Sequence, residues 1–151
     1  MIDLALESLA ASVAKNAHAG QVDRLGVDYY SGHLSSVAQS LSGDSVLVAV
    51  GYLHDSIEDT DLDQESLKEL LLGGYGVQAI VDSIVEAVVA ISKVSDESYE
   101  DYLSRVKANP IARAVKIADI KNNSDESRGI PQDPNYAARV EKYRNALEYL
   151  S

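Results

Sequence analysis

The spacing of apolar residues constrains the fold of this chain most strongly, because it follows the period of an α-helix almost throughout. The first amphipathic stretch predicts a helix from about Ile2 to Ala17. The Val- and Ile-rich stretch from Gly76 to Ser92 favours a helix over a strand by its length. Further helices are predicted over residues 33–41, 45–58, 61–74, 99–108, 110–123 and 135–150, with loops at 20–32 and 124–134. The sequence therefore predicts one all-α domain over residues 1–151, a bundle of about eight helices.

Composition excludes several kinds of partner. The net charge of −11 argues against nucleic acid, because phosphate backbones are held by clusters of Lys and Arg. A small phosphorylated substrate remains compatible, since a bound divalent cation inverts the local field. The absence of cysteine excludes thiolate metal sites and is compatible with a reducing cytosol. The N-terminus lacks the basic region of a signal peptide, and the longest apolar stretch is too short to span a bilayer. We therefore predict a cytoplasmic protein without a membrane partner, and leave open whether it forms a homo-oligomer.

The segment from His54 to Asp59 carries the strongest local signal for chemistry. On a helix, His54 shares a face with Glu58, and Asp55 shares the adjacent face with Asp59. Three carboxylates would then crowd one side of a helix end, which is costly unless a cation neutralises them. The segment therefore indicates a divalent metal site. The alternative is a solvated acidic helix end with an unrelated histidine.

Two more residues are candidates for completing such a site. A His–Asp pair supplies only two ligands, and first-row divalent metals accept mixed imidazole and carboxylate ligation. His33 lies at a loop-to-helix junction, and Asp119 lies in an apolar, basic helical stretch where a buried acid needs a partner. The alternatives are a salt bridge from Asp119 to Lys116 or Arg113, and a hydrogen bond of His33 at a helix N-terminus.

Three segments, in order along the chain, resemble the hydrolase domain of the RelA/SpoT alarmone enzymes, a member of the HD phosphohydrolases. Residues 17–33 resemble the family's AHxGQxR…H, residues 53–60 resemble its LHDxxEDT, and residues 116–123 resemble its KLADxxxN. Residues 139–143 look like the closing helix of the small stand-alone alarmone hydrolases. Together these segments span nearly the whole chain.

The resemblance implies a helical HD-type fold and one metal ion, commonly Mn²⁺, with His33, His54, Asp55 and Asp119 as ligands. It implies that Glu58 and Asp59 form a catalytic pair that positions and activates water. The residues implied to contact substrate are Arg24, Asn123, Arg139 and Tyr143. The implied reaction acts on a small phosphorylated nucleotide: it removes the 3′-pyrophosphate of guanosine tetra- or pentaphosphate and gives GDP or GTP plus pyrophosphate. The length of the chain leaves no room for the family's synthetase domain, so we expect no alarmone synthesis.

The loop before His33 departs from the family pattern. Leu25 stands where the family has a basic residue, and residues 29–34 replace the family's Pro-Tyr-Ile before the histidine and the proline after it. Because this loop helps to hold the nucleotide in relatives, one alternative substrate is another nucleotide, 2′- or 3′-phosphorylated, or NADPH. A regulatory nucleotide-binding module with weak turnover is a second alternative, and the intact Glu58 and Asp59 argue against it. We interpret His18 as a structural residue that braces the glycine-containing loop.

Overall fold

The computed structural model describes residues 2–23, 25–124 and 134–151. Over these residues the chain is all-α, as predicted, and no segment forms a named strand. The elements are α1 (Leu4–Ala17), a π-helical turn (Tyr30–Leu34), α2 (Ser35–Ser40), α3 (Ser45–Leu53), α4 (Ser56–Asp59), α5 (Gln64–Gly74), α6 (Gln78–Ile91), α7 (Tyr99–Ala108), α8 (Pro110–Ser124) and α9 (Tyr136–Leu150). Most of the predicted loop at 124–134, and Arg24, lie outside the described residues.

Helix α3 lies at the centre of the bundle, as its nearly uniform apolar sequence predicts. Asp44 begins it by accepting hydrogen bonds from the N–H groups of Val46 and Leu47, so the expected N-cap is present. Helices α1, α2, α6 and α8 all pack against α3. Gly51 allows the close approach of α2, because a Cβ added there would lie 2.9 Å from Cα of Ala38. Helices α2 and α3, which lie between His33 and His54 in the chain, are therefore tightly packed together.

The predicted helix over 33–41 begins earlier than expected and in a different form. His33 lies inside the π-helical turn Tyr30–Leu34, which continues directly into α2. A π-helical turn contains more residues than an α-helical turn, and such turns are frequent at functional sites. Here it places the buried His33 side chain toward the interior of the bundle.

The predicted single helix over 45–58 is wrong in its last third. Helix α3 ends at Leu53, His54 and Asp55 form a turn, and α4 begins at Ser56. Asp55 has φ −100° and ψ 1°, outside the helical range. Nδ1 of His54 bonds the carbonyl oxygen of Gly51, which is the acceptor that an unbroken helix would provide for the N–H of Asp55. The histidine side chain thus competes with the helix at this point.

No helix in the described ranges combines the length and the apolarity that crossing a membrane would require.

Candidate metal centre

Four side chains that the sequence singles out as ligands meet at one point, although they come from three separate parts of the chain. His33 comes from the π-helical turn, His54 and Asp55 from the α3–α4 turn, and Asp119 from α8. Nε2 of His33 lies 3.0 Å from Oδ1 of Asp119 and 3.7 Å from Oδ2 of Asp55. Nε2 of His54 lies 3.3 Å and 3.2 Å from the same two oxygens. Two imidazole nitrogens and two carboxylate oxygens therefore surround a common centre.

The far sides of both imidazoles are held by hydrogen bonds. Nδ1 of His33 donates to Oδ1 of Asn122 at 2.8 Å, and Nδ1 of His54 donates to the carbonyl oxygen of Gly51 at 2.7 Å. With the protons on Nδ1, the lone pairs of both Nε2 atoms point toward the carboxylates. Hydrogen bonds of this kind orient metal-ligating histidines and fix their tautomers.

The donor set fits a divalent first-row cation. Nε2 of His54 is buried and has no hydrogen-bond partner of acceptable geometry among the described residues, although two carboxylate oxygens face it. A lone pair facing carboxylates in a buried site is unfavourable unless a proton or a cation lies between them. Mixed nitrogen and oxygen ligation suits manganese and its neighbours. His33, His54 and Asp55 also satisfy the geometric requirement for holding an ion jointly.

The charges around Asp119 are balanced by a lysine as well as by the histidines. Nζ of Lys116 lies 3.1 Å from Oδ2 of Asp119, so the salt bridge that the sequence left as an alternative exists beside the contacts of Oδ1. Burial opposes ionisation of Asp119, but the charge of Lys116, followed by that of His54, holds its pKa well below the usual range. Burial also opposes the charged form of His54, yet Asp55 and Asp119 raise its pKa well above the ordinary value.

Tyr29 and Asn122 contact the candidate ligands directly, and sequence reasoning did not select either of them. The hydroxyl of Tyr29 donates to Oδ2 of Asp55 at 2.5 Å, and its ring centroid lies 5.2 Å from that of His33. Asn122 precedes the predicted Asn123, whose amide instead donates to Oδ1 of Asp119 at 3.2 Å. The two consecutive amides therefore serve a histidine and a carboxylate of the same centre.

Glu58 and Asp59 face different spaces, and the expectation that they share one continuous helix with His54 and Asp55 is wrong, because α3 ends at Leu53 and α4 begins at Ser56. Oε1 of Glu58 accepts a hydrogen bond from the N–H of Lys93 at 2.7 Å, which turns this carboxylate toward the α6–α7 loop. Asp59 lines a cavity of about 420 Å³ together with His33 and Tyr29. Burial first, and then the charges of Asp55 and Glu58, raise the pKa of Asp59 to about 6. Consecutive residues of an α-helix point about 100° apart around its axis, so the two carboxylates of α4 face different spaces.

A second cavity, of about 390 Å³, adjoins the centre, and we call it the lysine cleft. Its lining residues are Glu58, Lys93, Tyr99, Tyr102, Lys116, Asn123, Lys142 and Tyr143. Three of these are cationic and one is acidic, in a chain whose net charge is −11. Asn123 lines both cavities, so the lysine cleft and the Asp59 cavity meet at this side chain.

The remaining predicted site residues are distributed as follows. Asn123 and Tyr143 line the lysine cleft, and Arg139 lies half-buried one turn before Tyr143 on α9. Arg24 lies outside the described residues. His18 is buried, and its Nδ1 bonds Oε1 of Gln21 in the following loop at 2.8 Å, a contact of the bracing kind that the sequence predicts.

Comparison with known proteins finds similar curated proteins, and no family model matches the chain. The chain is 29% identical over 153 residues, covering 99% of its length, to a probable GTP pyrophosphokinase of Mycobacterium leprae. It is 34% identical over 92 residues, covering 59% of its length, to a probable guanosine-3′,5′-bis(diphosphate) 3′-pyrophosphohydrolase of Synechocystis. These similarities support a relationship to the RelA/SpoT enzymes. The matches span only 19% and 11% of those longer proteins.

Proposed function

We propose that this chain is an HD-type, metal-dependent hydrolase of phosphorylated nucleotides that removes the 3′-pyrophosphate of guanosine tetra- or pentaphosphate. The observation that carries the proposal is the convergence of two imidazoles and two carboxylates beside the lysine cleft. The three resembling motifs, and a relative named as a guanosine-3′,5′-bis(diphosphate) 3′-pyrophosphohydrolase, support it.

His33, His54, Asp55 and Asp119 would hold the cation, for which Mn²⁺ is the proposed identity. When bound, such a cation lowers the pKa of water and offsets negative charge on phosphoryl oxygens. The protein supplies the dry surroundings of the centre, because both imidazoles are 2% exposed. It also fixes the direction of both imidazoles through Asn122 and Gly51.

Asp59 is the residue of the predicted catalytic pair that we assign as the general base. It lines the same cavity as His33 and Asn123, so its carboxylate is placed to take a proton from water attacking a phosphorus there. Glu58 accepts the N–H of Lys93 and lines the lysine cleft, where it can accept a hydrogen bond from substrate. The two carboxylates thus take different roles in the proposed reaction.

The lysine cleft supplies the positive charge that a polyphosphate requires. Lys93, Lys116 and Lys142 line it together, and ammonium groups bind phosphate oxygens as point charges. Tyr143 and Asn123 add hydrogen-bonding groups at the same surface. This local concentration of cations explains how a strongly acidic protein could bind an anionic nucleotide.

The proposed reaction is a single hydrolysis. The oxygen of water forms a bond to the phosphorus attached to O3′ of the ribose, while one water proton passes to Asp59. The bond between that phosphorus and O3′ breaks, and O3′ takes up a proton to become a hydroxyl. The products are GDP or GTP and pyrophosphate, so no oxidant, reductant or second substrate is required.

Pyrophosphate release from guanosine tetraphosphate, measured with and without Mn²⁺ after chelation, tests this proposal. We expect Mn²⁺-dependent release in the wild type and a loss of about 10²–10⁴-fold in turnover for Asp59→Asn, since general-base catalysis contributes about that factor. Asp82→Asn serves as the control, because Asp82 forms an exposed salt bridge with Lys68 away from the site. Absence of Mn²⁺-dependent release at high enzyme concentration would contradict the proposal.

The loop at 21–28 favours a second candidate substrate, another nucleotide with a 2′- or 3′-phosphate or NADPH. Val22, Leu25 and Val27 are exposed there, and Val22 lines the cavity that contains Asp59. An apolar surface replaces the cationic one that the resemblance leads us to expect after residue 24. A substrate panel separates the two candidates, and a clear preference for guanosine tetraphosphate would exclude the second.

A further inference from the structure

Tyr29 contacts two of the four candidate ligands without being a ligand itself. Its hydroxyl donates to Oδ2 of Asp55 at 2.5 Å. Its ring neighbours two imidazoles, with centroid distances of 5.2 Å to His33 and 5.3 Å to His18. The proposed reaction gives Tyr29 no role, so these contacts need a separate explanation.

The ring of Tyr29 is held in place from both its backbone and its neighbours. The N–H of Tyr29 donates to the carbonyl oxygen of Gln21 at 2.9 Å, and an isolated bridge between Val22 and Asp28 closes the loop. The side chain of Gln21 bonds Nδ1 of His18, whose buried ring neighbours that of Tyr29. These contacts hold the preceding loop in place and therefore fix the position of the Tyr29 hydroxyl.

Apart from the two imidazoles, Tyr29 is the recorded partner of the Asp55 carboxylate within the described residues. It lies in the turn between α3 and α4 and does not cap α4 through its carboxylate. The charge of His54 attracts this carboxylate, whereas the charge of Asp119 repels it as a like charge. Tyr29 bonds Oδ2, the same oxygen that faces both Nε2 atoms. The hydrogen bond thus acts on the oxygen that a cation would use.

We infer that Tyr29 is a positioning residue, which holds Asp55 in the orientation that binds the cation. This inference rests on the proposed function, because it requires that the centre binds a metal. A protonated tyrosine hydroxyl is a donor at neutral pH, and partners that hydrogen-bond ligating side chains typically contribute about 10–100-fold to metal affinity. The ring is retained in Tyr29→Phe, so this variant removes only the hydrogen bond.

Tyr75 provides a matched control for this variant. Its hydroxyl donates to Oδ2 of Asp3 at 2.5 Å, the same kind of bond at the same length, at the contact between α1 and the end of α5. Tyr75→Phe therefore loses an equivalent tyrosine–aspartate hydrogen bond away from the candidate centre. Mn²⁺ is titrated into the metal-free wild type, Tyr29→Phe and Tyr75→Phe, and the free ion is measured by electron paramagnetic resonance. The temperature is one at which circular dichroism shows all three proteins folded.

We expect Tyr29→Phe to bind Mn²⁺ about 10–100-fold more weakly than the wild type, and Tyr75→Phe to bind it unchanged. We also expect excess Mn²⁺ to restore most of the turnover of Tyr29→Phe, which a loss of folding would not allow. Equal Mn²⁺ affinity in Tyr29→Phe and a binding wild type would overturn the inference and leave the proposed function standing. A wild type that binds no Mn²⁺ would overturn both.

Discussion

Nζ of Lys116 lies 3.1 Å from Oδ2 of Asp119, so this carboxylate pairs with a lysine through one oxygen and faces two histidines with the other. The pair is largely buried, with side-chain exposures of 17% and 7%. Removing one member of a buried pair leaves an uncompensated charge.

Lys116→Met is expected to lower the free energy of unfolding of the metal-free protein by about 3 kcal/mol. Bound Mn²⁺ should reduce this loss, because the cation supplies positive charge beside Asp119. Urea unfolding with and without Mn²⁺ measures both effects. Lys68→Met is the control: its partner Asp82 is about as exposed as Lys68 itself, so its loss should stay below about 1 kcal/mol. An equal decrease in the free energy of unfolding in the two variants would show that the buried salt bridge contributes no more to stability than the exposed one.

Asp119→Asn is expected to weaken Mn²⁺ binding by more than about 100-fold, since even the loss of an outer partner of a ligand costs about 10–100-fold. Isothermal titration calorimetry measures the affinity. Asp82→Asn removes the same charge from an exposed position and should bind Mn²⁺ like the wild type. Unchanged affinity in Asp119→Asn would remove Asp119 from the ligand set.

Gly51→Ala is expected to destabilise the fold by about 1–3 kcal/mol, because the added Cβ would lie 2.9 Å from Cα of Ala38 in the neighbouring helix. It should also weaken Mn²⁺ binding, since the carbonyl oxygen of Gly51 bonds Nδ1 of His54. Gly73→Ala is the matched control, because a Cβ on that helical glycine has no neighbour within 4 Å. We expect it to stabilise the protein by about 0.5–1 kcal/mol through helix propensity. Thermal unfolding compares the two, and a stable Gly51→Ala protein would contradict the close packing of α2 and α3.

Acid should weaken the contact between Arg105 and Glu97. Nη2 of Arg105 lies 2.6 Å from Oε1 of Glu97, and this hydrogen bond is the main cause that lowers the pKa of Glu97. A carboxyl group whose pKa is lower in the folded state stabilises the fold above its ordinary pKa, and this contribution disappears as the pH falls through the folded value. Glu97→Gln should therefore be less stable than the wild type at pH 7, and the difference should shrink as the pH falls below the ordinary glutamate pKa of about 4.3.

Urea unfolding at several pH values measures this difference. Glu86→Gln, on an exposed position of α6, changes the net charge equally and should show no comparable closing of the gap. A difference in stability for Glu97→Gln that stays constant from pH 7 through the acid range would mean that its origin is packing rather than ionisation.

Helical periodicity predicts most of the fold because it depends on residues that are close in sequence. The predicted bounds of the helix at 99–108 match α7, and Asp44 caps α3 as expected. Helical periodicity does not predict the break at His54 and Asp55, because the sequence on both sides favours a helix. The hydrogen bond that competes with the helix is made by the His54 side chain. Periodicity does not predict the π-helical turn either, because its extra residue leaves the apolar pattern nearly unchanged.

The candidate site likewise contains some residues that the sequence predicts and others that it does not. Motif spacing selects the four side chains that converge, because each lies in a recognisable local segment. Tyr29 directly precedes the π-helical turn, and the direction of its hydroxyl depends on the backbone path from Gln21, which helical periodicity does not predict. The lysine cleft is assembled from the α6–α7 loop and several separate helices, so Lys93 and Lys142 carry no shared signal along the chain.

The π-helical turn makes the centre sensitive to how the backbone winds between Tyr29 and His33 as well as to the identity of the residues there. Its hydrogen bonds span one residue more than those of an α-helix. Winding the same residues as an ordinary α-helix, at about 100° per residue, would change the angle around the helix axis between Tyr29 and His33. A substitution that favours α-helical winding in this turn would thus move the Tyr29 hydroxyl away from Asp55 while leaving every proposed ligand in the sequence.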